Sequence, residues 1–277
     1  MTRVCGTSRA AVLIPLYKDS MTATEKFSFK NTLSVLSNHD IYVICPKQLT
    51  GYLSALKNEI LLEFNVESFP DRYFSSVSGY SSLLMTIGFY RRFSRYEFVL
   101  IVQTDALVFS DQLEEWCKRD FSYIGAPWFH GLEYPSKPYS FIGVGNGGFS
   151  LRKVRDFVKV LTFPRYLPVV SSMFTSCTSG IIKWLWFVKH RLVFAYSYNP
   201  FRPKINEDIF WGTVVSGRCD FFSVPTPEEA IPFAFEVAPE YLFKLNGGRL
   251  PFGCHAWEKN NLLFWRDILG RYDIDLP

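Results

Sequence analysis

The sequence predicts an α/β protein with a mostly parallel central sheet flanked by helices. Three observations carry this. Apolar runs of strand length alternate with helical patterns through the first half of the chain. The 277 residues, 48% hydrophobic, are enough for one large core. No internal repeat and no linker breaks the chain, so a single domain with one insertion is the economical organisation.

The elements follow in order. "AAVLIPLY" reads as a first buried strand, "TEKFSFKNTLSVLS" as a helix and "DIYVICP" as a strand. "TGYLSALKNEI" reads as a helix, "LLEFNVESFP" as a strand and turn, and "YSSLLMTIGFYRRF" as one helix. "FVLIVQTDALVF" is then a central strand. Strand–helix alternation of this kind gives a parallel sheet covered by helices. "DQLEEWCKRDFSYIGAPWFHG" reads as a short helix, a strand and a loop. "SFIGVGNGGFSLRKVRDFVKVL" reads as a Gly-rich turn feeding a helix, and "INEDIFWGTVVSG" as a helix. The insertion falls at about 162–203.

Composition excludes several classes. Net charge is +4 and no dense Lys/Arg block occurs, which argues against nucleic acid and suits an anionic ligand or membrane surface. No two of Cys5, Cys45, Cys117, Cys177, Cys219 and Cys254 form a C-x-x-C site, so zinc-ribbon and thioredoxin chemistry are not expected. They read as reduced cytosolic thiols. The first apolar run is too short for a signal peptide.

Four short constellations carry chemistry. Gln103-Thr104-Asp105 places one acid near the carboxyl end of a central strand, where open α/β sheets bind ligands. Asp105 either holds a divalent cation such as Mn²⁺ or Mg²⁺ or caps the following turn. "GVGNGGFS", Gly143 to Ser150, lets backbone approach a ligand and, ahead of a helix, attracts anions; otherwise it is a tight turn. In "NEDIFWG", Glu207 and Asp208 diverge by roughly 100° on a helix, so one of them faces a cleft squarely. That one can act as a general base, or both simply favour a helix N-terminus. "PFGCHAWEK" holds His255, a metal ligand or a structural histidine, and Lys259, which can reach a phosphate. Trp128 and Trp211 can each stack on a sugar or fill core.

This order of parts resembles the layout of GT-A fold glycosyltransferases: an acidic strand-end motif, a glycine loop, an x-E-D motif and a C-terminal histidine. More narrowly, "QTDALVF", "GAPW", "GNGGFSLR", "NEDIFW" and "PFGCHAW" look like a bacterial glycosyltransferase-like family catalogued as a domain of unknown function. The resemblance spans about Ala10 to Trp257 and implies a GT-A-like, Rossmann-related fold. It implies roles residue by residue. Asp105 and His255 would ligate the metal, and Asp208, beside Glu207, would be the catalytic base of an inverting reaction. Asn146, Gly147 and Gly148 would lie beside the donor sugar, with Tyr17 near the nucleotide base. Gln103 stands where the family's first acid sits. Its amide can bond a ribose hydroxyl but weakens a metal site.

The function so implied is transfer of a sugar from a nucleotide-sugar donor, with UDP the superfamily guess, to a saccharide or lipid-linked saccharide acceptor in bacterial surface polysaccharide assembly. In the insertion, 181–194 interleaves Trp184, Trp186 and Phe187 with Lys183, Lys189 and Arg191. That composition suits a peripheral contact with an anionic membrane at its cytoplasmic face, or a core helix whose cations reach out. Two alternatives stand: a nucleotidyltransferase, against which "PLYKDSMT" lacks the glycine-rich loop after strand one, and a non-catalytic nucleotide-sugar or carbohydrate-binding module.

Overall fold

The structure is a computed structural model that describes residues 9–162, 206–272 and 274. Its centre is a six-stranded sheet in the order β3-β2-β1-β4-β9-β6. The strands are β1 (Ala10–Pro15), β2 (Asp40–Pro46), β3 (Asn65–Phe69), β4 (Phe98–Val102), β6 (Tyr123–Ile124) and β9 (Phe149–Lys153). β1, β2, β3 and β4 pair in parallel, and β9 runs antiparallel to both its neighbours. The predicted mostly parallel α/β sheet is therefore observed.

Every residue of β1 and β4 is buried. Alternate side chains go to opposite faces, as the two-residue period of a strand requires. Ala10, Val12 and Ile14 join one core cluster with helices α1 (Ala23–Val35), α2 (Thr50–Ile60) and α5 (Leu113–Lys118). Ala11 and Leu13 join the other, with α3 (Val77–Leu83), α4 (Ile87–Arg92) and α6 (Val154–Thr162). Two apolar faces explain why these strands read as continuous hydrophobic runs.

Local signals set the element ends. Thr22 and Glu25 form a reciprocal capping box at the start of α1. The single helix expected over "YSSLLMTIGFYRRF" is two, because the Thr86 hydroxyl accepts from Phe89 N and starts α4 afresh. The glycine stretch does not feed a helix. It lies between β8 (Phe141–Val144) and β9, with α6 starting only after β9. An anion site on that helix's N-terminus is thereby ruled out for the loop.

Two small sheets sit beyond the carboxyl ends of the main one. β7 (Pro127–Phe129) pairs with β8 as a hairpin. β10 (Ala234–Phe235), β11 (Gly253–Cys254) and β5 (Leu107–Val108) form a three-stranded sheet over a third core cluster that includes Trp257 and Trp265. Cys45, Cys117, Cys219 and Cys254 are free and buried. No described helix is long and apolar enough to cross a membrane. Beyond Thr162, the expected insertion, with its 181–194 stretch, lies outside the described residues, as do Cys5 and Cys177.

Candidate active site

The sheet order reverses beside β1, with β2 on one side and β4 on the other. In open α/β sheets the carboxyl ends at such a switch point form a ligand crevice. Tyr17 follows β1 there, and the Gln103–Ala106 turn follows β4, closed by Ala106 N to Gln103 O at 3.0 Å.

The three-stranded sheet brings three side chains to this rim. Asp105 precedes β5, Glu236 follows β10 and His255 follows β11. β11 is antiparallel to β5 and parallel to β10, so all three lie at one end. His255 Nδ1 is 2.8 Å from Glu236 Oε1. Its Nε2 is 3.3 Å from both Asp105 Oδ1 and Gln103 Oε1. Gln103 Nε2 in turn donates to the Tyr17 hydroxyl at 3.2 Å. Burial lowers the imidazole pKa, but Asp105 and Glu236 outweigh it and push it to about 10. Burial works to raise the Asp105 carboxyl, yet the charge and hydrogen bond of His255 hold it below its ordinary value.

The glycine loop is laid against this group. Gln103 N donates to Gly148 O at 2.8 Å, extending the β4–β9 pairing into the loop. A Cβ on Gly148 would fall 2.0 Å from His255 Nε2, so only glycine lets the imidazole occupy its place. Asn146 is buried, and its Oδ1 accepts from Gly148 N at 2.7 Å and Phe149 N at 2.9 Å. Its carbonyl group is thus committed to shaping the loop. A Cβ on Gly145 would meet the Trp128 ring at 2.4 Å, so the indole lies flush on the loop.

The adjacent acids of the x-E-D segment separate as expected of a helix. They open the helix Glu207–Ile209, which continues as a π-helix over Phe210–Val215. Glu207 turns inward. Both its oxygens accept from Arg152, at 2.9 Å from Nη1 and 2.8 Å from Nη2, with the guanidinium fully buried. Burial raises Glu207 to about 7, against the pull of Arg152. Asp208 turns to the cleft. Its Oδ1 accepts from Ile209 N at 2.8 Å, and its Oδ2 lies 3.8 Å from where a Gly147 Cβ would be. Burial raises its pKa, and the neighbouring Glu236 adds to this.

Gln103, Asp105, Trp128, Gly147, Gly148, Glu207, Asp208, His255 and Lys259 line one cleft of about 340 Å³. That is ligand-sized. The remaining expected residues, and two of those lining the cleft, are engaged in other contacts. Trp211 is fully buried, stacked on Phe222 and against Phe157, so it offers no face to an acceptor. Glu207 is bound to Arg152 and is not a free base. Tyr17 packs edge-on against Phe74 and Tyr80, with no parallel face stacked on another ring. Thr104 is half-buried in the turn. Lys259 Nζ is held by Glu133 Oε2 at 2.8 Å on the rim.

Glu236 and Arg152 escaped sequence reading. Glu236 ends the apolar run "PFAFE" as Asp105 follows "FVLIVQT", so the same strand-end signal was present. Arg152 falls in a stretch with a helical pattern; only its pairing in β9 reveals its inward direction.

The donors suit a divalent cation shared with a ligand. Asp105 Oδ1 and His255 Nε2 are 3.3 Å apart, as expected for adjacent ligands each about 2.1 Å from one ion. Glu236 holds the other ring nitrogen, the usual support of a metal-binding histidine. Among the described residues no group of three or more His, Cys, Asp or Glu side chains forms a metal cage. Phosphate and water would therefore complete such an ion's shell.

Among the solved structures similar to this chain are three glycosyltransferases. Mouse xyloside xylosyltransferase 1 in its apo form is 12% identical with TM-score 0.47, over 88% of this chain and 96% of that one. The apo glycosyltransferase GlyE of Streptococcus pneumoniae TIGR4 is 12% identical with TM-score 0.41, over 90% of this chain and 54% of that one. Core-mannan synthase A of Aspergillus fumigatus, in a Mn/GDP form, is 10% identical with TM-score 0.43, over 83% and 73%. All three TM-scores lie below 0.5. No curated protein matches. Residues 63–255, which carry the strand-end acid, the glycine loop, the x-E-D segment and His255, match the family described as "Protein of unknown function (DUF5672)", and the chain belongs to that family.

Proposed function

We propose that the protein is a nucleotide-sugar-dependent glycosyltransferase that acts on a saccharide or lipid-linked saccharide and inverts the anomeric centre. The observation that carries this is the convergence, in one cleft at the sheet's switch point, of Asp105, His255, the glycine loop and Asp208. Asp105 and His255 would hold Mn²⁺ or Mg²⁺. When bound, the ion offsets charge on the diphosphate leaving group. Glu236 fixes the His255 ring. Gly148 leaves room for the His255 ring, and Gly147 keeps side-chain bulk off the cleft wall beside Asp208, where the donor sugar would lie. Asp208 accepts the proton of the acceptor hydroxyl as that oxygen bonds to the anomeric carbon and the bond to diphosphate breaks.

One observation favours a variant without metal. His255 lies between two carboxylates that raise its pKa and favour the protonated ring at the cleft. In that variant the imidazolium, not a metal ion, meets the diphosphate.

The motif resemblance supports a place in bacterial surface polysaccharide assembly on the cytoplasmic side, in one domain with its insertion at about 162–203. Peripheral membrane contact through 181–194 is part of the proposal, and flotation with anionic vesicles at low salt tests it. The anomeric configuration of the product, read by proton NMR, tests the mechanism. Inversion is expected; a retained configuration would remove Asp208 from the role of base.

A further inference from the structure

A second cavity, of about 310 Å³, adjoins the cleft and shares Lys259 and Asn260 with it. Tyr139 and Tyr241 line it, their ring centroids 4.9 Å apart, and both rest on Phe129. The two rings are tilted by 49°, which makes a stepped floor rather than a slot for a flat base.

Charge along the walls is unequal. Lys137, Lys244 and Lys259 face the cavity, with Glu240 as the only acid lining it among the described residues. Lys244 pairs with Glu240 at 3.1 Å, and Lys259 with Glu133 at 2.8 Å. Lys137 has no carboxylate partner among the described residues and sits 6.0 Å from the centre of the Tyr139 ring.

We propose that this cavity is the acceptor subsite and that its ligand is an anionic saccharide. The inference rests on the glycosyltransferase reading and names the acceptor class for it. A pyranose has apolar C–H faces and a polar rim. Tilted tyrosine faces cover the first, while lysine and asparagine groups meet the second. Lys137 is the group left to meet a carboxylate or phosphate on the sugar. Because Lys259 and Asn260 belong to both cavities, a chain seated on the tyrosines reaches the cleft that holds Asp208. Trp211, buried in the core, cannot serve this purpose.

The test is calorimetric titration of the full chain with two matched panels. The acidic panel is hyaluronan tetrasaccharide, trigalacturonate and sialyllactose; the neutral panel is chitotetraose, maltotriose and lactose. Wild type, Lys137→Glu and Tyr241→Ala are compared, with UDP, GDP and CDP as control ligands for the cleft. The expected result is that an acidic saccharide binds and its neutral counterpart binds more weakly. Lys137→Glu, an exposed change that leaves the core alone, weakens the acidic ligand about tenfold. Tyr241→Ala weakens the whole panel, and nucleotide binding is unchanged in both variants. Equal saccharide affinity in all three proteins overturns the inference. So does displacement of the saccharide by nucleotide, or nucleotide binding with no saccharide binding. If wild type binds neither nucleotide nor saccharide, the glycosyltransferase reading fails and takes this inference with it.

Discussion

Asp208 and Glu207 are neighbours in sequence with opposite fates. Arg152 claims Glu207, and the helix turn sends Asp208 to the cleft. Asp208→Asn keeps an oxygen for the Ile209 N–H and removes a half-buried charge. Turnover is expected to fall about 10²- to 10⁴-fold with nucleotide affinity retained. Burial raises the Asp208 pKa, so the folded state binds this proton more readily than the unfolded chain. The stabilising effect of protonation is complete below the unfolded value and is lost as pH rises through the folded one. At neutral pH the wild type therefore carries a partly desolvated charge at a cost. The variant's melting temperature is expected to equal or exceed wild type, and a large drop would contradict this account. The rate should rise with pH along an acid limb lying above the ordinary aspartate range, since the base form is the active one. Glu236 acts one residue removed. Glu236→Gln is expected to weaken metal-strengthened nucleotide binding about 10- to 100-fold while metal-free binding stays. Unchanged metal dependence would show that Glu236 does not support His255.

The pairing between β9 and the helix Glu207–Ile209 rests on the buried Arg152–Glu207 bond. Breaking a buried pair from one side strands a charge, which costs about 3–5 kcal/mol, whereas replacing both partners with apolar groups is far less costly. Arg152→Met and Glu207→Leu are each expected to lower the urea midpoint strongly, and the double variant to recover most of it. An additive double variant would mean the pair is not coupled. The inner parallel strands β1 and β4 are legible because two apolar faces leave continuous hydrophobic runs. The split between α3 and α4 was not, because Thr86 inside an apolar run marks a restart only through its hydroxyl's bond to Phe89 N. The sequence sets the glycine loop before a helix because the alternation in "FSLRK" lasts only four residues and runs straight into the helical pattern from Val154. Its strand character comes from pairing with β4 and β6, which lie far away in sequence.

For the whole molecule, the main sheet supplies the crevice and the small three-stranded sheet supplies its charges. Two-residue strands β5, β10 and β11 are too short to show in any sequence pattern, yet they carry Asp105, Glu236 and His255 to one point. That is why Asp105 and His255 can be named from motif order while their contact cannot, and why Glu236, with only the strand-end signal of "PFAFE" and no motif around it, escapes. Gln103, the departure from the family's acidic pattern, fills the gap between His255 and Tyr17 as a neutral bridge. Calorimetric titration with UDP, GDP and CDP, with and without Mn²⁺, for wild type, Asp105→Ala and His255→Ala decides whether the cleft is a metal-assisted nucleotide site. One nucleotide is expected to bind, with Mn²⁺ strengthening it and both substitutions abolishing the strengthening. A wild type that binds none of the three nucleotides, with or without the ion, would contradict that expectation.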